Sequence, residues 1–353
     1  MLNNKYEIKK IDGSDEELEQ YALCFQNNGT ERDLENLKWL HQQNVARTNL
    51  IYNALDEIKT TASIYTALPA NALIESKKIR ALQSIDTLTD KAHRGKGLFI
   101  LLAKKLYEDA AEQGFAFVYG FPNENSAPGF FKKLDWLSFG EVPFLIKPMR
   151  ISYFIKKFLK IKYVTDNGTN KPKFTTIILK NDLCIKPLSH FGDDYDGLWN
   201  RVSGKITIAV NRNSEYLNWR FVDKPGEVYY KYGMYFQNRL EAIIVFTIKN
   251  KHEGRVAYIM EYLYDPEKIN SAKQLLKFAS SFMRKQKADV ILAWCLPKSF
   301  NFVAYQKCGF HNFHKKLRPQ KLFFGVKILD RKFSEIISEK DNWYISYADS
   351  DTV

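Results

Sequence analysis

The spacing of apolar residues along the first 140 or so positions predicts a mixed α/β unit. Alternating apolar and polar residues predict a strand at 6–11. Three later runs, separated by turn residues, predict an antiparallel meander: 50–55, 61–67 and 78–88. Between the first strand and the meander, Ser14 and Glu17 form a capping box that opens one helix, and a second helical stretch covers about 31–43.

A further helix and a further strand follow the meander. In the helix, apolar residues recur every four positions, at Leu98, Leu102, Leu106 and Ala110. Gly114 marks the end of this helix. The aromatic run FAFVYGF at 115–121 is typical of a buried strand. The order is therefore strand, loop, helix, strand.

The loop before this helix, DKAHRGKGLF at 90–99, combines two glycines with the side chains of His93, Arg94 and Lys96. Glycines let backbone N–H groups face a phosphate, and the start of a helix adds a partial positive charge. The loop therefore predicts a pyrophosphate site. Other phosphate-binding patterns do not fit, because Gly-Lys-Ser/Thr is missing and Ile100 stands at the third glycine of the Rossmann spacing.

From about 143 to 189 the pattern is irregular, and TDNGTNKPK at 165–173 has the composition of a linker. Before it, five apolar residues share one helical face: Ile151, Phe154, Ile155, Phe158 and Leu159. Basic residues surround this face: Arg150, Lys156, Lys157 and Lys160. Such a helix can lie on a membrane surface, or its apolar stripe can pack against one of the domains. We favour the packed helix.

After the linker the element order of the first half returns. The pattern predicts strands at 228–236, 240–249 and 255–262, a helix at 272–285 and a strand at 290–296. Three sequence matches accompany it: FKKLDW (131–136) with YQKCGF (305–310) at an offset of 174, Asp86 and Asp90 with Glu261 and Asp265 at 175, and Trp39 with Trp219 at 180. Together they favour an internal duplication.

Composition limits the class of protein. The 353 residues, 45% of them hydrophobic, suffice for two domains. A net charge of +13 indicates anionic partners, namely nucleic acid, a membrane surface or phosphorylated small molecules. We expect no nucleic acid partner, because helix-turn-helix, zinc-finger and RNP patterns are missing. No apolar run reaches about 18 residues, so we expect no integral membrane segment and a cytoplasmic protein.

Cysteine and histidine spacing predicts free thiols and no metal site. The four cysteines lie far apart in the sequence and none is in a Cys-x-x-Cys pair. His311 and His314 are a close pair, but no motif nearby supplies further ligands.

Arg94, Gly97 and the helix that follows them resemble the Q/R-x-x-G-x-G/A acyl-CoA motif of the GNAT (Gcn5-related) N-acetyltransferases, with Phe99 where a small residue is usual. The segment NSAPGFFKKLDW at 125–136 also resembles the family's Asn-x-x-Ala…Tyr-x-K-x-Gly-Phe segment. There, Phe131 stands at the tyrosine and Asp135 at the glycine. The resemblance extends over 6–136.

This resemblance implies two tandem GNAT-like domains of the α/β (α+β) class, each a mixed, mostly antiparallel sheet flanked by helices. The expected boundaries are 1–145 for a domain with the acyl-CoA site, 146–185 for the amphipathic helix and linker, and 186–353 for a degenerate second domain. In the second half, Ile269 and Ser271 stand at the offsets of Gly95 and Gly97. We therefore expect no pyrophosphate site there, and a domain that shapes the acceptor pocket or a homodimer.

The resemblance also implies acetyl-CoA as the acyl donor and assigns residues to it. The pyrophosphate would be held by Arg94, Gly95, Lys96, Gly97, Leu98 and Phe99. Leu88 and Thr89 would hold the pantetheine arm and the thioester, and Asn123 or Asn125 the far side.

Roles in the chemistry are assigned in the same way. Asp86 is either the base that accepts the amine proton or a structural carboxylate of the strand, and the backbone N–H of Leu88 or of a neighbouring residue would stabilise the oxyanion. Phe131 cannot donate a proton to the leaving thiolate as a tyrosine would. Tyr119 and Tyr305 are candidate replacements that we do not favour.

The acceptor is less constrained. Similar tandem-domain proteins of bacterial surface-glycan synthesis imply a small amine acceptor, an anionic nucleotide-linked amino sugar. The alternatives are an aminoacyl or peptide N-acyltransferase, a CoA-sensing module without turnover, and a nucleic-acid-binding protein. At the C-terminal end, Asp349 and Asp351 could neutralise a cationic acceptor, but we favour a frayed acidic tail.

Overall fold

The computed structural model describes residues 5–159, 176–179, 182–318 and 320–353. The chain forms two compact units, neither of which is one continuous segment. The first unit comprises Met1–Glu141, Asp223–Glu227 and Leu322–Lys340. The second unit comprises Val142–Val222, Val228–Lys321 and Asp341–Val353. The linker sequence at 165–173 lies outside the described residues.

The chain contains both helices and strands throughout. Up to residue 141 they are β1 (Glu7–Ile11), α1 (Asp15–Asn27), α2 (Leu34–His41), β2 (Leu50–Leu55), β3 (Thr61–Ile74), β4 (Lys77–Thr89), α3 (Leu98–Glu112), β5 (Phe117–Gly120) and β6 (Leu137–Glu141). From 142 to 321 they are β7 (Phe144–Pro148), α4 (Ile151–Phe158), β8 (Ile177–Ile178), β9 (Leu183–Pro187), α5 (Asp193–Ser203), β10 (Ile208–Val210), α6 (Ser214–Phe221), β11 (Tyr230–Phe236), β12 (Arg239–Lys251), β13 (Gly254–Tyr264), α7 (Ile269–Lys285), β14 (Val290–Trp294), α8 (Phe302–Lys307) and β15 (His311–Asn312). The chain continues with β16 (Phe323–Ile328) and α9 (Ser334–Ser338).

The sheet of the first unit has the strand order β1-β2-β3-β4-β5-β16-β6. Its neighbours run antiparallel except β4 and β5, which are parallel because α3 connects them. Leu102 and Leu106 of α3 are buried on one face of the sheet, as their spacing predicts. Leu18 of α1 and Leu37 of α2 are buried on the other face. Ser14 is the N-cap residue of α1, but the predicted capping box does not form: the Ser14 side chain makes no cap hydrogen bond, and Glu17 accepts the Asp12 and Gly13 N–H groups.

The sheet of the second unit repeats this plan in the order β15-β7-β14-β13-β12-β11-β9-β8. Its one parallel pair among the described strands is β13 with β14, which α7 connects. Leu275, Leu276 and Met283 of α7 belong to the core on one face. The prediction of two mixed, mostly antiparallel sheets flanked by helices is therefore confirmed.

Each sheet contains a strand from the other half of the sequence. β7, which follows the first half, pairs with β14 of the second sheet, with Ile146 opposite Leu292. β16, which follows the second half, pairs with β5 of the first sheet, with Val326 opposite Tyr119. The contiguous boundaries 1–145 and 186–353 therefore differ from the compact units, because strand pairing between distant segments closes both sheets.

Helix α4 also differs from expectation. Ile151, Ile155 and Leu159 of its apolar stripe are exposed, so the prediction of a packed stripe is wrong for them. Instead, Tyr153 is buried and its hydroxyl donates to the carbonyl oxygen of His252 at 3.0 Å. Within the described part of the chain, none of the helices combines the length and apolar character that a membrane span needs.

Candidate functional site

The loop that joins β4 to α3 is fixed at its beginning and open at its glycines. The carboxylate of Asp90 accepts the backbone N–H of Ala92 at 2.8 Å and a side-chain N–H of Asn28 at 2.9 Å. Burial opposes ionisation of Asp90, but these hydrogen bonds hold its pKa below the usual range. Gly95 and Gly97 then adopt left-handed conformations, with φ of +78° and +75°, which L-residues with side chains rarely adopt.

The start of α3 is not capped by a side chain of its N-cap residue, Gly97. The first backbone N–H groups of a helix have no partner within it. A Cβ added to Gly95 would meet no atom within 4 Å, so the backbone there is accessible. Arg94 is exposed and its Nε donates to the Thr89 carbonyl oxygen at 3.3 Å, while Lys96 lies 5.9 Å from the centre of the Tyr6 ring. This geometry fits a pyrophosphate.

An opening between strands leads away from this loop. β4 pairs with β5 only as far as Ser84 and Gly120, although β4 continues to Thr89. Beyond Gly120 the chain bonds to the β16 side, where the Phe323 N–H donates to the Pro122 carbonyl at 2.9 Å. Residues 85–89 therefore lack β5 as a neighbour. We call this opening the strand fork.

The register of β3 and β4 changes the role assigned to Leu88. The Asp90 N–H donates to the Ala62 carbonyl at 3.0 Å, and Leu88 lies opposite Ile64. Bonded and non-bonded pairs alternate along an antiparallel ladder, so the Leu88 N–H and carbonyl also point toward β3. Ser63 Oγ donates to the same Leu88 carbonyl at 2.9 Å, which agrees with this direction. The backbone groups that face the fork are those of Thr87 and Thr89, so Leu88 is not the favoured oxyanion donor.

Asp86 lies at a β-bulge with φ of +34°, where the β3–β4 register shifts by one residue. Its side chain is 4% exposed and forms an ion pair with Arg32, whose Nε lies 3.0 and 3.1 Å from the two carboxylate oxygens. The Tyr21 hydroxyl donates to the same carboxylate at 3.1 Å. Both oxygens are therefore engaged, and a proton acceptor at the fork would have to give up these bonds.

Asn123 and Asn125 lie on the far side of the fork, where the side chain of Asn123 stabilises a backbone turn. Asn123 Oδ1 accepts the backbone N–H groups of Asn125 and Ser126 at 3.0 and 3.1 Å. This turn precedes a short π-helical segment, Gly129–Lys133, whose N-cap residue is Pro128. Such segments are frequent at functional sites.

Phe99 and Phe131 depart from the residues that are usual in the motif. Two glycines, which the sequence analysis did not single out, leave room for their rings. A Cβ on Gly129 would lie 2.8 Å from Phe99, and a Cβ on Gly325 would lie 2.5 Å from Phe131. The phenyl rings therefore fit where the family has a small residue and a tyrosine. Gly129 could have been noticed within APGFF at 127–131, whereas Gly325 is nearly 200 residues away from Phe131.

The two candidate tyrosines lie in different places. The Tyr119 hydroxyl donates to Gln83 at 3.4 Å, one residue before the β4–β5 pairing ends. Tyr305 is buried in the core of the second unit, where burial raises the pKa of its hydroxyl well above the usual range. Tyr305 therefore fills that core, and its environment is not that of an acid at the fork.

The second unit has a counterpart of the basic loop. The Asp265 N–H donates to the Glu241 carbonyl at 3.0 Å, as the Asp90 N–H does to Ala62, so Glu241 stands where the first unit has Ala62. The Glu241 carboxylate is 3.6 Å from Lys268 Nζ and accepts the hydroxyl of Ser271 in the first turn of α7. A carboxylate of the protein itself therefore lies at the start of α7.

The Arg32–Asp86 pair also has a counterpart, Arg212–Glu261, with Nε and Oε2 2.6 Å apart. Each arginine directly precedes a helix N-cap residue, Asp33 or Asn213. In the second unit, Asp349 joins the pair and is 1% exposed, so the prediction of a frayed C-terminal tail is wrong. Burial raises the pKa of Asp349 to about 6, although Arg212 and the Ser346 N–H lower it; the neighbouring Glu261 carboxylate adds a smaller upward effect.

Comparison with known proteins concerns the domain that contains the loop and the fork. Residues 7–138 match the family model described as Acetyltransferase (GNAT) domain. The first unit carries a GNAT acetyltransferase domain. None of the curated proteins matches the sequence.

Solved structures resemble the chain over both units. A GCN5-related N-acetyltransferase from Anabaena variabilis has a TM-score of 0.63 at 14% identity, covering 92% of this chain and 73% of the other. Saccharomyces cerevisiae N-myristoyltransferase with bound myristoyl-CoA has a TM-score of 0.58 at 13% identity, covering 92% and 79%. A protein of unknown function from Enterococcus faecalis, described as a probable N-acyltransferase, has a TM-score of 0.62 at 14% identity, covering 93% and 73%.

At these identities the structural resemblance shows the fold. Together with the matched GNAT domain, it supports an acyltransferase that takes its acyl group from acyl-CoA. This agrees with the enzyme class and the donor expected from the motif.

Proposed function

We propose that the chain is an N-acetyltransferase that transfers the acetyl group of acetyl-CoA to the primary amine of a small anionic acceptor, a nucleotide-linked amino sugar. One observation supports the proposal above the others. The start of α3 presents accessible backbone N–H groups behind two left-handed glycines, with Arg94 and Lys96 beside them. Such a helix start is a ready-made site for the phosphate groups of a diphosphate.

Acyl-CoA would supply an activated thioester. The N–H groups of 95–99, with Arg94 and Lys96, would hold the diphosphate, because an anion there satisfies the orphan donors of the helix. The outward backbone groups of Thr87 and Thr89 would bind the pantetheine arm and the oxyanion along the strand fork. These residues form a continuous path from the loop to the bulge at Asp86.

The acceptor amine must lose a proton, and we infer that water accepts it. Asp86 is held by Arg32 and Tyr21, and the equivalent pair in the second unit stands beside a helix start that already has its own carboxylate. The repeated pair supports a structural role for Asp86. The leaving thiolate needs no acid, since a thiol pKa of about 8.5 makes it a tolerable leaving group.

A second candidate acceptor is the amine of an aminoacyl group or a peptide. The resemblance to N-myristoyltransferase over 92% of this chain favours it, because that resemblance includes both units. The net charge of +13 favours the anionic nucleotide sugar instead.

Thiol release from acetyl-CoA, measured with a panel of UDP- and dTDP-linked amino sugars and of short peptides, tests the proposal. We expect release with an amino sugar and none with its N-acetylated form. Release only with peptides would establish the second candidate instead. Binding of CoA without release by any amine would indicate a sensor, and salt-dependent binding to random DNA without CoA affinity would contradict both enzyme proposals.

A further inference from the structure

Helix α4 presents an apolar surface that the acyl-CoA site does not use. Ile151, Ile155 and Leu159 are 76, 53 and 57% exposed, and their spacing of four places them on one side of the helix. On the opposite side, Tyr153 fixes the helix: its ring packs so closely on Gly254 that a Cβ there would clash with it. Helix α4 is therefore attached to the second unit with Ile151, Ile155 and Leu159 outward.

The stripe is continuous with an apolar cavity of about 580 Å³ within the second unit. Ile155 and Leu159 line this cavity together with Leu317, which is itself 68% exposed. Deeper residues of the lining are Ile146, Leu292 and Phe313. Single exposed apolar residues are ordinary on soluble proteins, but a contiguous patch marks an interaction site. We call Ile151, Ile155, Leu159 and Leu317 the α4 surface.

The segments around the α4 surface are rich in basic residues. Residues 142–159 contain four Lys or Arg and no Asp or Glu, and residues 311–318 contain three and none. Two acidic residues lie close by: Asp289 forms an ion pair with Arg150 at 3.7 Å, and Glu253 follows the lining residue His252. Apolar side chains flanked mainly by cations match the boundary of an anionic bilayer, where the apolar groups enter the acyl region and lysines contact the headgroups.

We propose that the α4 surface binds the protein peripherally to a bilayer that contains anionic phospholipids. The cavity favours this partner over an extended peptide, because nearly all of its lining side chains are apolar. A peptide backbone placed there would lose water from its N–H and C=O groups without gaining partners, whereas lipid tails carry no such groups.

Co-sedimentation of the full chain with vesicles tests the proposal. The vesicles are phosphatidylcholine alone or phosphatidylcholine with one third phosphatidylglycerol. We expect binding to the anionic vesicles that weakens at least about tenfold between roughly 0.1 and 0.5 M salt, and little binding to the neutral ones. The variant Ile151→Ser, Ile155→Ser, Leu159→Ser should lose at least about tenfold in partition onto anionic vesicles.

A matched control carries Ile58→Ser, Val228→Ser and Val303→Ser, which remove three other exposed apolar side chains, 82, 64 and 45% exposed. It should partition like the unmodified protein, and CoA affinity in both variants should show that the chain is folded. Equal binding of both variants, or no binding of the unmodified protein, overturns the proposal. So does a dimer that the stripe variant converts to a monomer, because a second copy would then cover the α4 surface.

Discussion

Helices α3 and α7 occupy equivalent places in the two units. They differ in the groups that lie near the free backbone N–H groups of their first turns. At α3 the residues are Gly95, Gly97 and, on the neighbouring strand, Ala62, so the helix start is accessible. At α7 the bonded pair of Ser271 and Glu241 places a carboxylate there. A helix start attracts negative charge in either case. The second unit supplies that charge internally, and the first unit must bind it from outside.

The ion pairs, in contrast, are similar in the two units. Arg32–Asp86 lies in the first unit and Arg212–Glu261 at the equivalent place in the second. The second pair is completely buried, whereas Arg32 is 34% exposed. The ion pair occurs both beside the accessible start of α3 and beside the start of α7, which has its own carboxylate. It is therefore not specific to the chemistry at α3. The pairs therefore connect a helix N-terminus to the strand beside it.

Breaking these pairs should give the largest effect. Glu261→Gln should lower the free energy of unfolding by about 3–5 kcal/mol, because it removes one of the two carboxylates that pair with the buried Arg212 guanidinium. Asp86→Asn should cost less, about 1–3 kcal/mol, because water reaches Arg32. Urea unfolding of both variants measures the difference.

The same Asp86→Asn variant tests the structural role. Its kcat for acetyl transfer, measured where it is fully folded, should stay within about threefold of the unmodified value. A loss of about 10²-fold or more with unchanged CoA affinity would instead identify Asp86 as the general base.

Closing the open helix start should be next in size. Gly95→Glu should weaken CoA binding about 100-fold, because it strains a left-handed residue and places a carboxylate beside the diphosphate. Gly114→Glu is a matched control: Gly114 has the same φ of +78°, has open space for a Cβ, and lies at the other end of α3. Calorimetric titration with CoA should show a normal affinity for this control. Equal losses would refute the loop as the diphosphate site.

Asp349 distinguishes the second ion pair from the first by its pH dependence. Its pKa is raised from 3.8 to about 6, so the folded state binds a proton that the unfolded state has released between these values. Its contribution is complete below about pH 4 and is lost as the pH rises through 6. The two pKa units correspond to at most about 3 kcal/mol.

Urea unfolding from pH 4 to pH 7 should therefore show a loss of about 2 kcal/mol in the unmodified protein, relative to Asp349→Asn. Parallel pH profiles of the two proteins would contradict the raised pKa. The pH profile of the free energy of unfolding of Asp86→Asn, compared in the same way with the unmodified protein, provides a reference for the Arg32–Asp86 pair.

Removing the internal charge at α7 should have the smallest effect. Glu241→Gln should lower the free energy of unfolding by about 1 kcal/mol, since the amide still accepts the Ser271 hydroxyl but no longer balances Lys268 or the helix start. Unchanged stability of Glu241→Gln would mean that this carboxylate does not balance the start of α7.

Local spacing accounts for the parts of the site that could be predicted. The four-residue repeat of α3 and the two glycines before it specify a helix with an open start, because both depend on neighbouring residues alone. The offset of 175 between Asp86 and Glu261 was visible, but the offset of 180 between Arg32 and Arg212 acquired meaning only through the ion pairs. The direction of the Leu88 N–H depended on the register with β3, which the sequence does not specify.

The sequence by itself determined the secondary structure around the basic loop, its charge and the duplicated order of elements, since these follow from propensity and periodicity within a few residues. The tertiary structure decided which strands close each sheet, which carboxylate reaches α7 and which partner engages Asp86. Each of these is a pairing between segments 30 or more residues apart. Such pairings depend on the packing of the whole chain rather than on local preference.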